Sequence, residues 1–219
     1  MAETPQTLPR TIWVGMFLVL VLLALAYLLS LAELGSARKI NPLPVLNQVA
    51  DFALTNQDGQ LTNLADLTNR VWVADIIFTR CAASCPIMTR QMRLLQDALP
   101  PASPSRLVSL TTDPDYDSPA ILQRYGQHYG ARFDRWIFLT GTKNQLANLA
   151  TTSLKLGATP VAPADQKSSV DLFVHSTIFV AVDKHARLRG IFETEGDGID
   201  WTNVQARIVQ TVSQLENEP

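Results

Sequence analysis

The stretch Val71-Trp72-Val73-Ala74-Asp75-Ile76-Ile77-Phe78-Thr79-Arg80-Cys81-Ala82-Ala83-Ser84-Cys85-Pro86 decides the fold. Its first nine residues are nearly all apolar and rich in β-branched side chains. That length and branching predict a strand buried on both faces, as in an α/β sheet. Asp75 is the one polar interruption. Beyond the cysteines, Met88, Met92, Leu95 and Leu99 recur at helical spacing, which predicts a helix from about Cys85 to Leu99, stopped by Pro100-Pro101. Cys81 and Cys85, the chain's two cysteines, therefore fall where a buried strand ends and a helix begins. Ligands and reactive groups gather at such junctions in α/β sheets.

Upstream, Asp51-Phe52-Ala53-Leu54 followed by Asp58-Gly59 and Leu61 reads as a hairpin with an Asp-Gly turn. Downstream, Arg106–Thr111 reads as a second strand and Asp113–Asp117 as an acidic loop. Ser118-Pro119 opens a helix through about Tyr129, with Ser at the N-cap and Pro at the first helical position. Trp136–Leu139 reads as a short strand, and Thr142 as the cap of a helix over Lys143–Leu156. Thr177–Val182 and Leu188–Thr194 flank a tight turn at Asp183–Ala186 and should pair antiparallel. Asp200 starts a last helix with Val204, Ile208 and Val212 on one face. Parallel βαβ units followed by a hairpin and a closing helix describe a thioredoxin-like α/β domain. It is expected as three layers, α/β/α, with an N-terminal β-hairpin, over residues 51–216.

The remainder is an appendage. Residues 12–32 carry no charge, about the ~20 residues needed for a helix to cross a bilayer, with Trp13 and Tyr27 placed for its two interfaces. The expectation is a short tail (1–11), one transmembrane anchor (12–34) and a tether (35–50) interrupted by Pro42 and Pro44. The competing reading is a cleaved signal peptide, since Gly35-Ser36-Ala37 resembles a small-residue cleavage site, but signal cores are shorter, roughly 7–15 residues. Arg10 before the span and Arg38-Lys39 after it leave the orientation nearly tied. At 219 residues the chain has room for one sizeable domain besides this appendage, and its net charge of −2 offers no basic footprint for nucleic acid.

Two thiols at this spacing admit several chemistries. Residues i and i+4 of a helical turn lie roughly 6 Å apart at Cα, within reach of a disulfide. A helix N-terminus favours a thiolate, which is both the nucleophile and the metal ligand. Two thiolates suit Cu(I) or zinc. Structural zinc wants four protein ligands, whereas the chain has two cysteines and three histidines and no second paired motif. Cu(I) accepts three ligands. Of the histidines, His128 sits in a helix and His185 in a hairpin turn, both read as solvated. His175 precedes the strand expected beside the first one, which makes it the candidate third ligand. Met88 and Met92 read as core filling.

Taken together, Asp51–Gly59, Leu64-Ala65-Asp66-Leu67, Phe78–Pro86, Thr112–Pro119, Leu139-Thr140-Gly141 and Val174-His175-Ser176-Thr177-Ile178-Phe179 resemble the Sco/SenC family from Asp51 to the last helix. The C-x-x-x-C-P block with a distant His-Ser-Thr is the specific part. The resemblance implies a thioredoxin-fold domain tethered by one N-terminal helix on the periplasmic or intermembrane-space side. It implies copper bound by Cys81, Cys85 and His175. It also implies a role in assembling the dinuclear copper site of cytochrome c oxidase subunit II, or a similar copper-site protein, with copper received from a donor protein. One departure is the interior Ala82-Ala83-Ser84, where the family commonly carries Pro-Asp-Val. The Ala/Pro/Ser-rich segment Thr159–Ser169 reads as a mobile loop.

Two functions follow from the same residues. The first is a membrane-anchored copper metallochaperone, a carrier rather than an enzyme. The second is a membrane-tethered thiol–disulfide oxidoreductase, with Cys81 and Cys85 as its redox-active pair, that reduces the cysteines of a partner's copper site. A peroxidase or sensor reading lacks a motif of its own.

Overall fold

The computed structural model describes residues 10–35, 42–160, 173–175 and 177–218. The chain divides into two compact units, residues 1–41 and 42–219. The first contains helix α1 (Arg10–Gly35). Its described side chains run from Ile12 to Leu28 and are exposed throughout. Among the described residues no helix is long and apolar enough to cross a membrane. The anchor expected over residues 12–34 is therefore not shown.

The second unit is built on an eight-stranded sheet. In chain order its strands are β1 (Asn47–Gln48), β2 (Ala53–Asn56), β3 (Leu61–Asn63), β4 (Trp72–Ile77), β5 (Arg106–Thr111), β6 (Trp136–Thr140), β9 (Ile178–Val182) and β10 (Arg187–Glu193). Strands β7 (Ala158–Pro160) and β8 (Phe173–His175) form a separate pair. The spatial order is β1-β10-β9-β4-β5-β6-β2-β3. β4, β5 and β6 run parallel, and β9 lies antiparallel against β4, beside the first buried strand as its sequence predicted. The Asp58-Gly59 turn joins β2 to β3, with Gly59 at φ +77.

Helices cover both faces. β4 is buried along its whole length, and its alternation divides the core in two. Val73 and Ile77 pack with Met88, Met92 and Leu95 of α3 (Ser84–Ala98), Leu122 of α4 (Pro119–His128) and Val204, Ile208 and Val212 of α6 (Trp201–Asn217). Trp72, Ala74 and Ile76 pack on the other side with Leu64 and Leu67 of α2 (Leu64–Leu67), Leu146 of α5 (Lys143–Ala147) and Leu149. The result is the expected three-layer α/β/α domain. Met88 and Met92 are fully buried in this core, which is the role expected of them; each such side chain contributes about 1.5–3 kcal/mol by leaving water.

Several local expectations are corrected. Residues 42–50 are not a free tether: β1 pairs with β10, Val49 is buried, and Arg189 donates to the Leu43 carbonyl at 2.6 Å. The helix read over Lys143–Leu156 is α-helical only to Ala147 and continues as a π-helix over Asn148–Ser153. The Thr142 hydroxyl does cap it, accepting from the Gln145 N–H at 3.3 Å. Ser118 occupies the N-cap of α4 but makes no side-chain cap bond; its carbonyl accepts from Ile121 and Leu122. Ala158–Pro160 pairs with Phe173–His175, so the segment read as a loop from Thr159 begins as strand. Residues 161–169 of it lie outside the described residues.

Candidate metal centre

Strand β4 delivers Cys81 and helix α3 delivers Cys85. Cys81 precedes the helix, whose N-cap is Ala83, so the two thiols do not share a helical turn as their spacing suggested. Both are free thiols. Cys85 is completely buried and Cys81 half-buried. They hydrogen-bond to each other, and this bond splits them electrostatically. The Cys85 S–H, donating to Cys81, is the chief reason the Cys81 thiol is pulled down to about 6. The N–H groups of Cys85, Ala83 and Ser84 add to this, against partial burial. Ala83 has no side chain to cap those N–H groups, so the sulfur takes the place of a cap. Cys85 moves the other way: donating to Cys81 and burial both push it up, helped by the negative charge of Cys81 and of Asp75.

The turn is held from the acidic loop. The Asp117 carboxylate accepts from the Thr79 N–H (3.1 Å), the Thr79 hydroxyl and the Thr111 hydroxyl (2.5 Å). Arg80 pairs with Asp113 at 2.5 Å and lies over the Tyr116 ring at 4.4 Å. Thr79 and Arg80, the residues just before Cys81, are thus both pinned to residues 113–117. Behind the turn, Thr89 donates to the Cys85 carbonyl at 2.7 Å and shares a hydrogen bond with the Tyr125 hydroxyl.

Asp75 lies on the α3 side of β4, fully buried. Ser109 donates to its Oδ1 at 2.6 Å, and Trp136 donates to Ser109 at 3.0 Å. Its Oδ2 has no partner, and burial raises its pKa to about 7.

The histidines separate as follows. His128 and His185 are exposed. His175 ends β8, opposite Ala158, and its side chain lies outside the described residues. Among the described residues no group of three or more His, Cys, Asp or Glu could hold a metal. The structure therefore brings Cys81 and Cys85 together and gives His175 a main-chain position only. The donors present, one thiolate at a helix N-terminus and one buried thiol beside it, fit a soft monovalent ion once the second proton leaves. Sequence reasoning missed the ties from Thr79 and Arg80 to Asp117 and Asp113, although the Thr112–Pro119 motif was visible.

The SCO1/SenC family profile matches residues 43–210. The SCO1 protein homolog of Bacillus subtilis is 32% identical over 162 residues, covering 71% of this chain and 81% of that protein. A Stutzerimonas stutzeri protein named for copper binding is 32% identical over 150 residues, covering 68% and 70%. Among solved structures, BsSco superposes with a TM-score of 0.66 at 27% identity, covering 82% of this chain and all of that one. BsSco is a member of the Sco family of cytochrome c oxidase assembly proteins in which a disulfide switch has been identified. With a profile match across most of its length and a relative of this identity and extent, the chain belongs to the SCO1/SenC family.

Proposed function

We propose that this protein is a copper metallochaperone that binds its cargo through Cys81, Cys85 and His175 and helps to load a partner's copper site. The observation that carries the reading is the half-exposed thiolate of Cys81 hydrogen-bonded to buried Cys85 at the start of α3, in a chain whose relative from Stutzerimonas stutzeri is named for copper binding. A thiolate that is already deprotonated near neutral pH needs to release no proton to take a soft ion, and a half-exposed one can hand it on by ligand exchange. The partner would present thiolates of its own. The dinuclear copper site of cytochrome c oxidase subunit II fits that chemistry, in line with BsSco's place among oxidase assembly proteins. The exposed apolar side chains of α1 support membrane attachment over residues 12–34. The domain would then sit on the periplasmic or intermembrane-space side, where thiols and disulfides interconvert.

The test is Cu(I) competition against a chromophoric chelator with the reduced full-length chain. One copper per chain is expected, abolished in Cys81→Ser. His175→Ala should lose more than about 100-fold in affinity, since even outer partners of ligands cost 10–100-fold. Unchanged affinity in His175→Ala would remove histidine from the ligand set.

A second reading, thiol–disulfide exchange, is favoured by the opposed shifts of the two thiols. The Cys81 thiolate attacks a partner disulfide, and one partner sulfur leaves as thiolate. Cys85, giving up its proton, then attacks Cys81 and releases the second partner sulfur. Two electrons pass to the partner, and Cys81 and Cys85 become a disulfide. Such a step would reduce a copper site before loading, so the two activities share one pair of residues.

A further inference from the structure

The β10 edge of the eight-stranded sheet is only partly covered. β1 pairs there with Arg187 and Leu188 and no further. Upstream of β1 the chain turns off the sheet. The Leu43 side chain packs against the core cluster that α6 covers, and the Leu43 N–H donates to Glu218, the C-cap of α6, at 3.4 Å. Gly190–Glu193 therefore run on with β9 on one side and, among the described residues, no strand on the other. The Thr194 N–H points at β9, donating to the Thr177 carbonyl at 2.8 Å. Main-chain groups along an antiparallel strand alternate between its two sides. Phe192 and Gly190 thus also face β9, while Ile191 and Glu193 turn their N–H and C=O groups outward. Such an edge is a template for one more strand.

The surroundings of the edge select what it takes. A groove of about 380 Å³ runs beside it, lined by Ile191 and Glu193 on the strand and by Ile199, Asp200, Asn203 and Arg207 around the start of α6. Ile191 is 41% exposed. The run Glu193–Asp200 carries the carboxylates of Glu193, Glu195, Asp197 and Asp200 and no basic residue. Among the described residues none of the four is in an ion pair. Arg207, the groove's one cation, lies over the Phe192 ring at 5.8 Å. A second copy of the chain is the wrong occupant, because pairing β10 with itself sets these carboxylates against one another. An extended segment with basic side chains fits: main-chain bonds supply affinity, and the acids select for charge.

The edge also leads toward the thiols. β10 is antiparallel to β9 and β9 to β4, so β10 and β4 point the same way. Glu193 therefore ends β10 on the side of the sheet where Cys81 follows β4. Ile199 of the groove and Cys81 pack against the same core cluster, and the Thr194 carbonyl accepts from Gln91 of α3 at 3.1 Å. We propose that the β10 edge at Ile191–Glu193 docks an extended basic segment of the copper-site partner as an added strand, bringing that partner to the end of the sheet where the thiols lie. The choice of partner rests on the function proposed above.

The probe is the acetylated peptide amide Lys-Val-Lys-Val-Lys-Val-Lys, titrated at low salt into the reduced full-length chain while amide hydrogen exchange is followed by NMR. Exchange at Ile191 and Glu193 should slow about 10-fold or more at saturation, while Phe192, already bonded to β9, stays unchanged. The same peptide with glutamate for lysine should not bind. Glu193→Lys combined with Asp197→Lys should weaken the basic probe about 10-fold and leave Cu(I) affinity as it was. Ile191→Pro removes an outward N–H without touching the β9 ladder and should abolish probe binding. No binding, binding that leaves Ile191 and Glu193 exchanging freely, or equal binding of the acidic peptide would overturn the docking edge, as would a double lysine variant that binds normally. For the partner, the basic probe is extended by Gly-Gly-Cys-Gly-Gly-Gly-Cys and offered to the copper-loaded chain. Cu(I) should pass to it, by exchange of thiolate ligands, about 10-fold faster than to the dithiol tail alone, and the double lysine variant should erase the gain. Equal rates would overturn the docking of a copper recipient. A chain that binds no Cu(I) would overturn the copper-carrier function instead, and the exchange measurement would still decide the edge.

Discussion

At the scale of single residues, Cys81 and Cys85 are chemically unlike although their sequence context treats them alike. The difference comes first from the hydrogen bond that Cys85 donates to Cys81, and then from burial and from which sulfur the helix N–H groups reach. Asp75 shows the same dependence. Its ionisation near 3.8 in an unfolded chain moves to about 7 in the fold because the carboxyl is buried. Between those values the folded state keeps a proton that the unfolded state has lost, so stability falls as pH rises through this window and the penalty is complete above it. The shift corresponds to roughly 4 kcal/mol. Asp75→Asn cannot ionise and can still accept from Ser109. Urea unfolding at pH 4.5 and pH 8 should show the variant gaining on the native chain by a few kcal/mol between the two. A constant difference across pH would mean that Asp75 stays protonated, or stays ionised, throughout. Asp75 stood out in the sequence as the lone acid in an apolar run, but its protonation state depends on Ser109, 34 positions away, and on complete burial.

At the scale of elements, most helices and strands were legible because their signals are local. α6 begins at Asp200 as read, with the Asp200 carboxylate accepting from the Thr202 N–H at 2.9 Å, and its buried face is the one its periodicity marked. The π-helical turn and the two-residue β1 were not legible. β1 owes its existence to pairing with β10, and the carbonyls of Thr152 and Ser153 at the end of the π-helix are taken by Asn47 at 2.8 Å. Helix α4 supplies a test in which two effects oppose. A Cβ at Gly126 would gain about 1 kcal/mol of helix propensity, but it would stand 2.8 Å from both Phe133 and Phe138. Phe138 is fully buried and stacked on Trp136 at 4.9 Å, so it cannot yield cheaply. Overpacking costs about 1–3 kcal/mol and should win. Gly126→Ala is expected to lower the denaturation midpoint; a raised midpoint would show that Phe133 moves aside freely.

At the scale of the whole molecule, the second unit is closed by one buried arginine. The Arg189 side chain is 2% exposed and contacts Asp183 at 2.6 Å, Glu218 at 2.8 Å and the Leu43 carbonyl at 2.6 Å. It therefore joins the first residues of the unit, the β9–β10 turn and the end of α6. Arg189→Met should cost about 3–5 kcal/mol, because it leaves the buried Asp183 carboxylate without its best partner. It should also speed hydrogen exchange at residues 43–49 and 215–218. A loss in denaturant stability below 1 kcal/mol would mean that Arg187, 2.8 Å from the same carboxylate, suffices.

The sequence by itself determined the alternation of strands and helices, the closing hairpin, and the placement of two thiols where a buried strand meets a helix. Each of those rests on periodicity or turn chemistry within a dozen residues. Only the tertiary structure decided which sulfur is the thiolate, that Asp75 lies beneath the helix that carries Cys85, that residues 42–50 join the sheet, and that Thr194 reaches α3. Those outcomes depend on burial and on contacts such as Gln91 with Thr194, 103 positions apart, for which no local pattern exists to be read.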